Sequence, residues 1–326
     1  MQSNTSKIRR GWLLAILGIA GFSLTLPATR VAVLHLDPWF VAFGRGVLAS
    51  GLAAIALLVT RQPWPKRHQL RGLALVALGV IIGFPVLSAW AMCELPASHG
   101  GIALSVTPLA TACFGAWLAG ERLPGRFWIA ALIGAAAVLA FAFEAGGGSL
   151  RSGDLWLFAA SLLAALGYAE GARLTRILGG WQVISWALVL SVPWLLGPLC
   201  WIMAHTDLSA PFDAWAGFAY VAVVSQFLAF ILWYRGLAVG GIAKIGQIQL
   251  LQPFLTLGAS ALWLGEALSG SLLGVAAVVV TSLWVSQHSP MRQSAEIKRE
   301  GRRIRHSMTL RTEKNQILMR NDHEAL

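Results

Sequence analysis

Ten long runs of mainly apolar residues, separated by charges, prolines or polar clusters, constrain this chain more than any other feature of its sequence. An α-helix rises about 1.5 Å per residue, so roughly 20 apolar residues cross the roughly 30 Å hydrocarbon core of a bilayer. The sequence therefore predicts an all-α integral membrane protein with ten transmembrane helices. These predicted spans, numbered one to ten, cover residues 11–33, 39–60, 72–93, 97–119, 126–144, 154–175, 182–204, 214–236, 241–264 and 270–287.

The composition agrees with a bilayer environment. Hydrophobic residues make up 57% of the chain and charged residues 12%, against roughly 45–50% and about 25% in soluble domains. The net charge of +11 comes from basic residues between the apolar runs and in the C-terminal tail, not from one basic face. We therefore expect the partners to be the lipid bilayer and a small-molecule solute, and we expect no nucleic acid.

The distribution of basic residues predicts the orientation, because cytoplasmic loops carry an excess of Lys and Arg. With the amino terminus inside, 22 of the 25 Lys and Arg residues fall at cytoplasmic ends, gaps or the tail. Arg30 and Arg151 fall outside, and Arg45 lies within span two. The sequence thus predicts a multi-pass protein of a bacterial inner membrane with both termini cytoplasmic.

Two internal matches indicate that the chain is a duplication. The motif LLAILGIA at 13–20 agrees at six of eight positions with LLAALGYA at 162–169, and Pro108 and Pro253 each lie thirteen residues before the glutamate of a Gly-Glu pair. A five-span unit has an odd number of crossings, so its second copy enters the membrane inverted. The predicted organisation is a cytoplasmic N-terminus (1–10), a first five-span repeat (11–144), a periplasmic Gly-rich linker (145–153), a second five-span repeat (154–287) and a basic cytoplasmic tail (288–326).

The repeated segments resemble a known family. PWFVAFGRGVLASGLAAIAL in span two, LSVTPLATACFGAWLAGERL closing span four and LLQPFLTLGASALWLGEAL closing span nine are similar to the EamA-type members of the drug/metabolite transporter superfamily. The resemblance implies a metabolite carrier, often an exporter of amino acids or related compounds. It also contributes to the expectation of alternating access around a midplane cavity lined by spans one, three, four, six, eight and nine. It leaves the solute, the direction and the energy coupling open.

Arg45 is the most conspicuous polar residue within a span. A charge at the centre of a bilayer costs about 2.5–3.5 kcal/mol on insertion scales, so it needs a reason to be there. Arg45 could face the interior as a cation for a substrate carboxylate or as part of a gating pair. Alternatively it is structural, bonding helix carbonyls or reaching toward the surface, since Gly44 and Gly46 also allow close helix packing.

Span nine holds a cluster of amides, Gln247, Gln249 and Gln252, just before Pro253. Unsatisfied amides are costly in hydrocarbon, so they should face protein or a water-filled cavity. Gln249 and Gln252 share one face, and Gln247 points roughly the other way. Gln249 and Gln252 are therefore candidates to line a solute cavity, with interhelical hydrogen bonds as the alternative.

Other candidates carry two interpretations each. Trp90 and Tyr168 could stack on or gate a solute, or could lie at the membrane interface without a ligand role, as Trp and Tyr residues often do. For Trp233 and Tyr234, at the end of span eight, anchoring at the interface is the expected role. Glu170, with Arg173 three residues on, is either a helix-surface ion pair or a protonatable group at the cytoplasmic mouth of a cavity.

Pro108 and Pro253 are expected to interrupt their spans, because proline removes a backbone hydrogen bond and such breaks at matching positions in two halves point to a central site. A packing kink is the alternative. Glu121 and Glu266 are expected to act structurally at the ends of spans four and nine.

Other classes of function are weakly represented. The GASA segment at 258–261 superficially resembles an intramembrane serine protease motif, but no histidine lies deep in a predicted span to act as base, and no metal-ligand spacing occurs. We therefore expect no catalytic residue, metal or cofactor. A passive channel or a lipid-moving protein remains the alternative to a carrier. The sequence leaves the oligomeric state open, with a homodimer as one candidate.

Overall fold

A computed structural model describes residues 2–95, 106–145, 151–264 and 272–288. Over these residues every regular element is helical, and helix covers part or all of each predicted span, which confirms the all-α prediction. In chain order the helical segments are Gln2–Ser23, Thr25–Val33, Pro38–Val59, Arg67–Val76, Ala77–Gly83, Phe84–Glu94, Thr107–Ala119, Gly125–Ala145, Ser152–Leu178, Gly180–His205, Phe212–Tyr220, Val221–Leu228, Ala229–Gly240, Ile242–Gly246, Gln247–Leu251, Gln252–Leu264 and Leu272–Gln287.

In the described part of the chain, six helices are long and apolar enough to cross a membrane, namely those of spans one, two, three, six, seven and eight. The described helices of spans four and five are shorter apolar segments. Span three begins at Arg67 rather than at residue 72, and span six runs from Ser152 to Leu178. These helices continue past their apolar runs because a polar helix end still satisfies its own backbone hydrogen bonds.

The helices pack in pairs that connect the two halves of the chain. Span one packs along span eight, and span six packs along span three. Span four contacts span six, and span nine contacts span one. Spans two and seven pair with each other, as do spans five and ten. Replacing each span by the equivalent span of the other half turns the pair one–eight into six–three and the pair four–six into nine–one. The pairs two–seven and five–ten stay the same. This pattern is expected for two related five-span repeats.

Glycines allow the closest of these approaches. A Cβ added at Gly18 would lie 3.1 Å from the backbone nitrogen of Trp233, and one added at Gly79 would lie 2.5 Å from the carbonyl oxygen of Leu163. Gly18 and Gly167 occupy the same position of the repeated octapeptide, and Gly167 contacts the backbone of Gly79. The repeated motif therefore marks the place where spans one and six meet their partners from the other half.

Three spans change helical type near their middle. Residues Ala77–Gly83 of span three and Val221–Leu228 of span eight are π-helical, at matching positions of the two halves. In span nine a 3₁₀ segment, Gln247–Leu251, joins two α-helical segments. Such irregular turns widen or tighten the hydrogen-bond ladder and are common next to functional sites.

Pro108 and Pro253 lie where α-helical segments of spans four and nine begin. Each is the second residue of a 13-residue helix, Thr107–Ala119 in span four and Gln252–Leu264 in span nine. Proline is favoured at the start of a helical segment, because its fixed φ suits the first turn. The two prolines therefore begin new helical segments at equivalent points of the two halves.

Candidate functional site

A polar cavity lies between the two halves. It has a free volume of about 20 Å³, and its lining is more polar than that of the other cavities described. Its walls come from the six spans expected to line it, together with span two through Arg45. The lining residues are Phe22, Thr25, Leu26, Arg45, Val80, Phe84, Thr107, Ala164, Tyr168, Ser225, Gln226, Phe230, Gln249 and Gln252.

Arg45 reaches the cavity from span two and is only 2% exposed. Its Nη2 donates to Ser225 Oγ at 3.2 Å, and Ser225 shares a 2.8 Å hydrogen bond with Thr25 Oγ1. Nε and Nη1 have no hydrogen-bond partner among the residues that the structure describes. The described lining also contains no acidic side chain. Arg45 therefore brings a buried positive charge with unused donors to the cavity wall.

The packing around Arg45 explains how span two carries this charge. A Cβ at Gly44 would lie 3.1 Å from the ring of Phe218, and one at Gly46 would lie 2.7 Å from Leu195 Cδ1. The two glycines bring spans seven and eight close to span two, which removes Arg45 from lipid. Sequence reasoning left this choice open, and the geometry favours an interior-facing guanidinium.

Gln226 is a lining residue that sequence reasoning missed. Its Nε2 donates to the carbonyl oxygen of Val80 at 2.9 Å, which joins the π-helical segments of spans three and eight across the two halves. Its Oε1 is buried and without a hydrogen-bond partner in the described structure. A lone amide in the apolar span eight was the available signal, and it is weaker than the cluster of three amides in span nine.

The glutamines of span nine separate into two groups. Gln249 and Gln252 line the cavity, and Thr111 Oγ1 donates to Gln249 Oε1 at 3.4 Å. Gln247 lies outside the lining, where its Nε2 donates to the carbonyl oxygen of Pro108 at 3.1 Å. The 3₁₀ turn places residues three apart on the same face, so Gln249 and Gln252 point the same way.

Aromatic rings form one wall of the cavity. Tyr168 stacks on Phe22 with ring centroids 6.1 Å apart and lies 5.9 Å from Phe230. This wall offers an apolar surface beside the buried cation.

Trp90, the other aromatic candidate, lies elsewhere. It is 39% exposed, and its ring packs against Trp39 with centroids 5.6 Å apart. With Glu94 and Trp156 it lines a separate cleft at the end of span three. The central cavity therefore does not include Trp90.

Trp233 and Tyr234 are not interfacial anchors, so that expectation was wrong. Both are fully buried, and the Tyr234 hydroxyl donates to the carbonyl oxygen of Gly167 at 3.2 Å. Span eight is enclosed by spans one, six and seven at this level. The sequence near the end of an apolar run does not distinguish an aromatic residue that lipid surrounds from one that protein surrounds.

Glu170 is bound by Arg173 rather than placed at the cavity. Arg173 donates to the two carboxylate oxygens from Nε at 2.8 Å and from Nη2 at 2.6 Å. Glu170 is buried against span three, where a Cβ at Gly72 would lie 2.2 Å from Glu170 Oε1. The geometry favours the ion-pair interpretation, because the guanidinium holds both carboxylate oxygens in hydrogen bonds.

Glu121 caps the start of span nine. Gly120 ends span four in a left-handed conformation (φ +65°), which turns the chain toward the other half. Glu121 then accepts hydrogen bonds from the backbone nitrogens of Ile242 and Ala243 at 2.9 and 2.8 Å. The equivalent Glu266 lies outside the described residues.

Packed layers lie on both sides of the cavity along the bundle. On one side a cluster of Leu26, Ala91, Met92, Leu95 and Leu157 joins spans one, three and six. Arg30 reinforces this layer by donating to the carbonyl oxygens of Met92 and Cys93. On the other side lie the buried rings of Trp233 and Tyr234. The cavity is therefore enclosed by contacts that cross between the two halves.

The whole described bundle is similar to known membrane proteins. A family model described as the EamA-like transporter family matches residues 9–143 and again residues 151–286. An uncharacterized transporter of Bacillus subtilis (strain 168), YdeK, is 44% identical over 276 residues, covering 84% of this chain and 96% of the relative. A probable terminal-alkyne amino-acid exporter of Streptantibioticus cattleyicolor is 28% identical over 285 residues, covering 82% of this chain and 92% of the relative. A solved crystal structure with 19% sequence identity matches at a TM-score of 0.68 over 87% of this chain and 98% of its own, which shows a shared fold.

Proposed function

The chain belongs to the EamA-like transporter family, and from that premise we propose that it exports amino acids or related small organic compounds across a bacterial inner membrane. Membership of the family makes it a multi-pass transporter of small molecules. The proposal adds to this membership that the protein exports its solute, that the solute is an amino acid or a related compound, and that both termini are cytoplasmic. The excess of basic residues at one set of loop ends supports the orientation.

The observation that carries the proposal is the polar cavity between two halves whose helix pairings are equivalent. Packed contacts between the halves lie on either side of it, so a relative rocking of residues 11–144 against 154–287 would separate one set of contacts while keeping the other. Its lining combines polar groups with apolar walls, as small-molecule sites usually do. An open pore would not need layers on both sides.

The name of one relative supports an amino acid as the cargo. One relative is named as a probable amino-acid exporter. That name belongs to the relative, and it comes to this chain only as a guide to the first solutes to test.

Counterflow in proteoliposomes tests the proposal. Vesicles are preloaded with one member of a panel of amino acids, nucleosides, sugars and polyamines, and entry of the radiolabelled partner is followed. Saturable exchange of amino acids, absent from protein-free vesicles, is the expected result. Exchange confined to another class would overturn the cargo, and non-saturable flux would favour a channel.

Variants of span nine test the position of the site. Gln249→Ala and Gln252→Ala should each slow exchange while leaving the amount of protein in the membrane unchanged, because both side chains line the cavity. Wild-type rates in both variants would exclude this cavity as the solute site.

A further inference from the structure

We propose that the cavity recognises its solute by a carboxylate with a hydrogen-bond donor on the adjacent carbon, with Arg45 binding the carboxylate and Gln226 accepting from the donor. α-Amino acids and α-hydroxy acids share this head group. The proposal rests on the transport function proposed above and names the chemistry of the same site. The residues that carry it are two buried polar side chains whose hydrogen-bonding capacity is only partly used.

Arg45 is the proposed partner of the solute carboxylate. A guanidinium has five N–H donors and remains charged, and Ser225 is the hydrogen-bond partner that the structure gives to Nη2. Nε and Nη1 have no partner in the described structure, although the side chain is almost fully buried. Uncompensated buried charges are unfavourable, so a complementary anion should bind here strongly. Carboxylates fit this cation because guanidinium and carboxylate groups match in planar, charge-assisted hydrogen bonds.

Gln226 is the proposed partner of the hydrogen-bond donor on the adjacent carbon of the solute. Its amide nitrogen is committed to the carbonyl oxygen of Val80, and this bond fixes which end of the amide remains unused. The unused end is Oε1, which can only accept a hydrogen bond. It therefore suits an ammonium or a hydroxyl group and does not suit a second carboxylate.

Arg45 and Gln226 are connected through Ser225. Ser225, which bonds Arg45, directly precedes Gln226 on the π-helical segment of span eight. The described lining has one cation and no acidic residue, so a solute must bring the negative charge itself. Phe22, Tyr168 and Phe230 offer an apolar surface for the rest of the solute.

The test uses four solutes that differ only in the head group. Exchange of phenylalanine, phenyllactate, 3-phenylpropionate and 2-phenylethylamine is measured in proteoliposomes, with the corresponding four compounds of the leucine series in parallel. The wild type should carry the amino acid or the hydroxy acid of a series at least about tenfold faster than the amine, since the loss of a charged hydrogen bond is of that size. The amino acid and hydroxy acid arms distinguish ammonium from hydroxyl as the donor.

Variants assign the two roles. Arg45→Gln should remove the preference for carboxylate-bearing solutes, reducing their exchange by about tenfold or more. Gln226→Leu should slow the amino acid or hydroxy acid and leave 3-phenylpropionate at its wild-type rate, so that the ratio of the two changes. A purely structural role for Gln226 would lower all rates by the same factor and leave this ratio unchanged.

Gln247→Leu is the matched control. Gln247 is also a buried glutamine whose Nε2 donates to a backbone carbonyl of the other half and whose Oε1 has no described partner. It does not line the cavity. Any loss of rate in this variant should fall equally on all four solutes.

The outcomes separate this inference from the transport function. Equal exchange of amine and carboxylate solutes by the wild type, or an unchanged preference in folded Arg45→Gln protein, would overturn the head-group site while leaving a transporter. Exchange restricted to solutes without a carboxylate would overturn it as well. Absence of exchange for every solute of the wider panel would instead reject the proposed function itself.

Discussion

Arg45 is expected to lower the stability of the fold while being required for solute exchange. Its guanidinium is buried with one described hydrogen bond and no described acidic partner. Replacing a poorly compensated buried charge by an apolar side chain of similar length is often stabilising, by about 1–3 kcal/mol. Arg45→Met should therefore raise the apparent unfolding temperature in detergent while reducing solute exchange. A lower unfolding temperature would show that Arg45 is mainly a structural residue.

Glu121 is expected to act in the opposite direction, as a purely structural carboxylate. Both of its oxygens accept backbone hydrogen bonds at the start of span nine, and Glu121→Gln replaces one acceptor with a donor. Loss of a charged cap should cost about 1–2 kcal/mol of stability, measured as a lower unfolding temperature. Glu94→Gln is the matched control, since Glu94 is exposed and accepts from Ser152. An equal effect of both substitutions would contradict the capping role.

At this scale the sequence predicted chemistry better than position. The residues proposed for the cavity included Arg45, Tyr168, Gln249 and Gln252, which meet in one lining. A polar residue in an apolar run must find a partner, and this requirement is visible without a structure. Trp90 and Gln226 show the converse, because an aromatic ring tolerates lipid or protein and a single amide gives no periodic pattern.

Helix pairs between the halves depend on glycine where a π-helical turn meets a partner. A methyl group at Gly79 would lie 2.5 Å from the carbonyl oxygen of Leu163, so Gly79→Ala must separate spans three and six. We expect a loss of about 1–3 kcal/mol, as for other overpacked sites, and a lower unfolding temperature.

Gly51→Ala provides the comparison for Gly79. A Cβ at Gly51 would meet nothing within 4 Å, so this substitution should be neutral or stabilise the helix by up to about 1 kcal/mol. Equal losses in the two variants would mean that the close approach of spans three and six is not what requires glycine.

The helical elements themselves were predictable in existence but not in detail. Apolar runs located the spans, and both Pro108 and Pro253 marked the equivalent points where new helical segments begin. The π-helical turns of spans three and eight had no sequence signal, and the hydrogen bond of Gln226 with Val80 that joins them is a contact between the two halves.

For the whole molecule, alternating access requires the layer around Leu95 to open. A Cβ at Gly153 would lie 2.7 Å from Leu95 Cγ, close enough for a disulfide after substitution of both residues by cysteine. In a background with Cys93, Cys113 and Cys200 changed to serine, oxidised Leu95→Cys/Gly153→Cys protein should lose exchange, and a reductant should restore it. The two single-cysteine variants should not respond. Full exchange by the cross-linked protein would show that the halves need not separate here.

The sequence alone determined that this chain spans a membrane repeatedly, that its halves are related, and that certain polar residues must be shielded from lipid. These conclusions depend on local properties, since hydrophobic length, charge at loop ends and repeated spacing can be read along the chain. The tertiary structure decided which polar groups meet. Gln226, Arg45 and Gln252 are brought together by packing between the two halves, and the close approach of helices depends on side chains far apart in sequence.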